Sequence, residues 1–220
     1  MKNLPVALKL ILFIYTLFLS SLARCQEKKD PTAALISELK VELNQEGVSD
    51  FFVVKHITYG SFRIYNTKDP NVCIPDGYYF NLYAFWRMGN TNYIKKMDNC
   101  GAFNTIELKE QAPFDFYSRN IVAIKNEEVG RYRLKPDSIA NGLRYSFART
   151  QSHSPLRYYW FYRDTLTFEK RFDKFNLTTD SESPNINFES NHNLAIVKLN
   201  AICEEIIAEL SEKEVFHRLD

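Results

Sequence analysis

The sequence predicts an α+β fold: a mainly antiparallel sheet of about four to six strands, packed by an N-terminal helix and a long C-terminal helix. Three observations carry that expectation. Every second residue from Tyr78 to Trp86 is apolar, the period of a strand. Two pairs of apolar runs flank the short breaks Gly89-Asn90 and Asp164-Thr165, as the arms of hairpins do. Ile196, Leu199, Cys203, Ile206 and Leu210 instead recur at three and four, the period of a helix.

The first helix is expected after Asp30-Pro31. Asp caps a helix well, and Pro suits the first helical position because its missing N–H has no partner to lose there. Leu35, Leu39 and Leu43 then share one face, with Ile36 beside them, and Gly47 ends the element. Phe51 to Tyr59 is β-branched and aromatic, and Gly60-Ser61 suits a tight turn with Phe62 to Tyr65 returning. Pro70, Pro75 and Gly77 mark a loop.

In the next strand Tyr78, Phe80, Leu82, Ala84 and Trp86 form a fully apolar face. Tyr79, Asn81, Tyr83, Phe85 and Arg87 form a mixed one, which suits a sheet packed on one side and partly wet on the other. Tyr93 to Asp98 returns as a more polar strand. Ile121 to Ile124 reads as a strand or a helix start. Ile139, Leu143 and Phe147 have helical spacing, weakened by Gly142 at about 1 kcal/mol relative to Ala. Leu156 to Arg163 and Leu166 to Phe172 form a second hairpin, although Phe168, Phe172 and Phe175 also fit a helical face. The polar stretch Thr178 to Asn193 reads as a loop within one domain. In the last helix Val197, Ile202 and Ile207 widen the apolar stripe, and Asn191 or Asn193 can cap it.

The N-terminus predicts the address. Lys2 and Lys9 precede an apolar run from Leu10 to Leu19, and Ser20, Ser21 and Ala23 follow. A cationic start, a short greasy middle and small residues near a cut are the parts of a secretory signal. The run is shorter than the about 20 apolar residues a span needs. Residues 1–25 are therefore expected to be a signal peptide, and residues 26–220 a single secreted or periplasmic domain with no transmembrane span. A second reading takes Leu22-Ala23-Arg24-Cys25 as a lipobox, in which Cys25 carries acyl chains and the protein is a lipid-anchored envelope protein. Arg24 departs from that pattern, which wants a small residue before the cysteine.

Charge excludes one class of partner. The chain carries +1; without the three basic residues of the leader it carries −2. A nucleic-acid partner asks for a clearly basic domain, so none is expected. The partner is an unknown extracellular ligand or protein.

Three cysteines follow the leader. Cys73 and Cys100 flank the Tyr78–Asp98 hairpin and are expected to form a disulfide in an oxidising compartment. A turn on Gly89-Asn90 places Cys100 opposite Tyr79, so the segment around Pro75 and Gly77 must double back to bring Cys73 in. Cys203, on the apolar face of the last helix, reads as a buried hydrophobe. No two cysteines have the short gap of a structural zinc site, so no metal is expected.

No catalytic motif is present. The glycines stand at least twelve residues apart, which excludes GxGxxG, GxxxxGK and GxSxG. No His is followed by Glu, so HExxH is absent, and no motif calls for a cofactor. Of the four histidines, His153 in Ser152-His153-Ser154 is the weak candidate for catalysis, since it lies in a loop between hydroxyls. Asn176-Leu177-Thr178 is a glycosylation sequon. The expected function is a non-enzymatic binding or interaction module, with Tyr79, Tyr83 and Phe85 stacking on a ligand if no helix covers them. The alternatives are a hydrolase working around His153 and the lipid-anchored protein.

Overall fold

In the computed structural model the chain is described over residues 30–219, except 62–63, 67, 69–71, 76 and 110–111. The leader, Cys25, Phe62 and Pro70 lie outside the described residues. The order is α1 (Thr32–Gln45), β1 (Asp50–Thr58), β2 (Phe80–Met88), β3 (Thr91–Asp98), β4 (Gly101–Leu108), α2 (Ala112–Asn126), β5 (Arg133–Ala140), β6 (Leu143–Ala148), β7 (Pro155–Arg163), β8 (Leu166–Asp173), a 3₁₀ turn (Lys174–Leu177), α3 (Phe188–Asn193) and α4 (Ala195–Glu212). Six strands form one antiparallel sheet in the order β4-β3-β2-β1-β7-β8, and β5-β6 form a separate two-stranded ribbon. Thr32–Asp220 is one compact unit.

The strand period sorts side chains onto two covered faces. Phe51, Val53 and Ile57 of β1, with Phe80, Leu82, Ala84 and Trp86 of β2, meet Ile36, Leu39 and Leu43 of α1. Phe52 and Val54, with Tyr83, Phe85, Tyr159 and Phe161, meet α2 and α4. The expected wet face is therefore a second core. Tyr83 is 5% exposed and Phe85 1%, and Phe85 stacks on Phe52 with ring centroids 5.0 Å apart. Both rings belong to the core, not to an open stacking surface.

Two expected elements differ. The Phe51–Tyr65 hairpin does not form, because β1 pairs along its length with β2 on one edge and β7 on the other. No edge is left for a return strand, and Ile64 and Tyr65 lie outside any strand. The Ile139–Phe147 segment is no helix. Asn141 and Gly142 have φ of 52° and 76°, the two left-handed residues of a type I′ turn, and β5 folds onto β6 across it. Ile121 and Ile124 fall in α2. The cap of α4 also differs. Neither Asn191 nor Asn193 caps it; Glu127, just after the end of α2, accepts from the Ala195 N–H through Oε2 at 2.6 Å.

The Cys73–Cys100 disulfide is present, with Cα atoms 5.8 Å apart. The register Asn81↔Asp98 does place Cys100 level with Tyr79. The chain reaches the bridge through a reversal at Gly77, whose N–H donates to the Pro75 carbonyl at 3.1 Å. Cys203 is fully buried, and burial pushes its thiol up.

One sheet edge is covered by the C-terminal segment. Phe103 bridges to Arg218, the Asn104 N–H donates to the His217 carbonyl at 2.9 Å, and the Leu219 N–H to the Ala102 carbonyl at 3.0 Å. At the other edge no described strand pairs with the free side of β8, where Glu169, Lys170 and Arg171 supply the charges that discourage edge-to-edge association.

Candidate functional site: a bare ribbon on a clamped root

Among the described residues, three groups of polar side chains hold the sheet and its helices together, and the β5–β6 ribbon is a fourth place of another kind. His153 is the first. It sits at φ 57° with its ring against Gly60 and its Nδ1 2.9 Å from the Tyr59 carbonyl. A carbonyl only accepts, so Nδ1 carries the proton. The ring ties the turn after β1 to the loop before β7, and the neighbouring Ser154 hydroxyl donates to Asp173.

The second lies under α4. Arg157 donates to Glu204 Oε1 through Nε (3.0 Å) and Nη2 (2.6 Å), and Lys174 Nζ reaches both Glu204 oxygens at 2.9 Å. Tyr159 donates to Asn200 Oδ1 at 2.9 Å. His56 is the cross-strand neighbour of Arg157. Burial first, then the Arg157 charge, pull its pKa down to about 3, and its Nε2 has no hydrogen-bond partner. An imidazole so acidified is a poor general base near neutrality. The cluster pins α4 to β7.

The third surrounds Tyr79. Asp98 accepts both arms of the Arg218 guanidinium, at 2.9 and 2.6 Å, and the Cys100 N–H at 2.8 Å. The Tyr79 hydroxyl lies 3.0 Å from both Asp98 Oδ2 and Asn81 Oδ1. Burial alone would raise the Asp98 carboxyl; Arg218, the Cys100 N–H and Tyr79 outweigh it and hold it below the usual carboxylate range. A cavity of about 400 Å³ opens here beside Tyr65, Cys73 and Phe103. The charges of Asp98 and Arg218 neutralise each other. Asp98 and the two bridged sulfurs lie within 4.8 Å, but a disulfide has no thiolate to offer a metal.

The fourth place is different, because its side chains face outward. In the ribbon, Ile139 is 79% exposed and Leu143 61%, on either side of the Asn141-Gly142 turn. Leu134 and Tyr145 are also exposed. Among the described strands, β5 and β6 pair only with each other. Arg144 stands at this tip, opposite Ile139, and Lys135 and Arg131 follow toward the root; all three are exposed. Lys135 Nζ lies 3.8 Å over the Phe147 ring, and Arg133 and Arg144 share Asp137 at 2.8 and 2.6 Å.

Asparagines clamp the ribbon's root. Asn191, 2% exposed, accepts from the Gly130 N–H and donates to the Gly130 and Asn176 carbonyls, each within 2.9 Å. Asn185 Oδ1 accepts from the Arg133 N–H at 3.2 Å, and its amide donates to the Asn176 and Thr178 carbonyls. Asn176, the sequon residue, accepts from the Tyr132 N–H at 2.9 Å. Tyr132 stacks on Phe175 at 4.8 Å and donates to the Ser183 carbonyl at 2.6 Å. The polar stretch Thr178–Asn193 is not all loop: it ends in α3, and Asn185, Asn187 and Asn191 within it clamp distant backbone.

Sequence reasoning singles out His153 and Tyr79, and misses both the Glu204 cluster and the ribbon. The cluster is assembled from β7, the 3₁₀ turn and α4, so no local pattern announces it. The ribbon had a signal, Asn141-Gly142 between apolar residues, the strongest short hairpin marker. The helical spacing of Ile139, Leu143 and Phe147 masks it, and Gly142 reads there only as a weak point of a helix. No family model matches this chain, and neither does any curated protein or solved structure. Among the described residues no helix is long and apolar enough to cross a membrane.

Proposed function

We propose that this chain is an exported, non-enzymatic interaction module, braced by the Cys73–Cys100 bridge, that meets its partner through the β5–β6 ribbon. The observation that carries the reading is the exposure of Ile139 and Leu143 at 79% and 61%. Holding such side chains in water forgoes roughly 1.5–3 kcal/mol each relative to burial, and here two of them stand beside one turn, whereas Ile64 and Val122, exposed to a similar degree, stand on other segments. Large exposed apolar groups rimmed by polar residues mark contact surfaces. The clamped root supports the same reading, since a contact element held rigid at its base loses less entropy on binding. The export half rests on the N-terminal leader pattern and on the disulfide, which persists in oxidising compartments.

Photo-crosslinking in intact exporting cells tests the proposal. A photoreactive residue at Leu143 should give adducts well above those from the same residue at exposed Ser152. Equal, background-level adducts at both positions contradict the proposed contact surface.

A further inference from the structure

We infer that the ribbon docks on an anionic phospholipid bilayer, with Ile139 and Leu143 entering the interface and the basic residues behind them contacting headgroups. The inference rests on the proposed role of the ribbon as the contact surface, and names its partner.

Charge is the first argument. Between Arg131 and Arg149 stand five basic residues, Arg131, Arg133, Lys135, Arg144 and Arg149, against the single acid Asp137. That is +4 on nineteen residues, within a chain that carries only +1 overall. The rest of residues 26–220 is therefore negative. Asp137 neutralises part of Arg133 and Arg144, and Asp180 lies 3.4 Å from Arg149. Arg131 and Lys135 stay exposed. An acidic body with a cationic arm presents that arm, and not its own flank, to an anionic surface. Each basic residue near such a leaflet strengthens binding by roughly fivefold.

The order of residues along the ribbon is the second argument. Leu143 pairs with Ala140 at the outermost point, and Ile139 stands opposite Arg144 one step back, on the other face of the ribbon. Tyr145 follows, and Lys135, Arg133 and Arg131 come next toward the root. An apolar end with long basic side chains beside and behind it suits an interface between hydrocarbon and headgroups, where such side chains reach back to the phosphates. Arg144 stands beside Ile139, and at about 3.3 Å per residue Lys135 lies roughly 13 Å from it along an extended strand.

The backbone is the third argument. Pro136 within β5 has no N–H to donate, and the register slips between Lys135 and Ser138. Both features blunt an edge against a further strand. A second copy or an extended peptide joining the ribbon as a third strand meets that obstacle. A bilayer requires no strand pairing.

The test uses the exported, processed protein carrying Leu143→Trp, with vesicles of phosphatidylcholine alone or mixed with phosphatidylglycerol. The native tryptophans, Trp86 and Trp160, both lie in the sheet. Subtracting the parent spectrum under each condition therefore leaves the signal of the introduced indole. That emission should move to the blue with anionic vesicles and stay in place with neutral ones, and high salt should reverse the move. In sedimentation, Ile139→Ser/Leu143→Ser should bind anionic vesicles roughly tenfold or more weakly than the parent chain, the equivalent of losing about one buried apolar side chain. Every sample shares one N-terminus, so the difference belongs to the ribbon. An unmoved emission, or equal binding by parent and double variant, overturns the lipid assignment. If Leu143 also crosslinks to a protein in cells, the contact-surface reading survives with a different partner. If it crosslinks to nothing, both fall.

Discussion

At the residue scale, burial separates side chains that hold the fold from those available to a partner. Tyr83 and Phe85 look half-wet in an alternating strand, yet both are core under α2 and α4. Tyr83→Ala should therefore cost about 3–5 kcal/mol, the usual range for an aromatic truncated in a core, seen as a large fall in urea midpoint. A midpoint close to that of the parent would place the ring at the surface. His56 gives a pH signature. Its folded pKa of about 3 lies below the ordinary 6.5, so the unfolded chain binds a proton that the folded chain refuses. Stability from this residue is complete above pH 6.5 and falls as pH drops toward 3, at up to about 1.4 kcal/mol per pH unit. Denaturant titrations between about pH 6.5 and 5, above the carboxylate range, should show that slope in the parent and a flatter one in His56→Phe. Identical slopes would show that the imidazole titrates normally. None of this was legible beforehand: His56 reads as one strand residue among many, and only the pairing of β1 with β7 brings Arg157 beside it.

At the element scale, short-range signals were legible where one pattern dominated. The β2–β3 and β7–β8 hairpins, the first helix and the last follow from period and turn residues. The failures come from long-range pairing. Gly60-Ser61 promised a hairpin, but both edges of β1 are filled from distant parts of the chain, and no local pattern records that. The cap of α4 is likewise tertiary. Glu127 lies 68 residues from the Ala195 N–H whose hydrogen bond it accepts, so capping asparagines next to the helix were the natural but wrong expectation. Glu127→Ala should cost about 0.5–2 kcal/mol, the range for a lost N-cap, measured by thermal or urea unfolding. No measurable loss would show that solvent serves the helix end equally well. The disulfide belongs here too. Closing a loop with a sequence separation of 27 stabilises by about 3.6 kcal/mol in the chain-entropy model. Reductant, or Cys73→Ser with Cys100→Ser, should lower unfolding stability by an amount of that order. Insensitivity to reductant would mean that the bridge does not form in the isolated protein.

At the scale of the whole molecule, the chain divides its labour. A six-stranded sheet covered on both faces turns its main polar groups inward, in the Glu204 cluster, the Asp98–Arg218 pair and the asparagine clamps. The ribbon tip faces outward instead. Its position in the chain was visible as Asn141-Gly142, but its exposure was not, because exposure depends on what the body leaves uncovered. Ile139→Ser/Leu143→Ser should leave stability within about 0.5 kcal/mol of the parent, as surface substitutions do. A loss of several kcal/mol would show that the tip packs on the body. The account as a whole depends on export, since the bridge and the proposed bilayer contact both belong outside the cytoplasm. Intact-mass analysis of the protein recovered from its producing cells tests that most directly. The account predicts a chain beginning at Gln26, without acyl groups, two hydrogens lighter than its reduced form. A full-length product beginning at Met1, held inside the cell with Cys73 and Cys100 as free thiols, would contradict it.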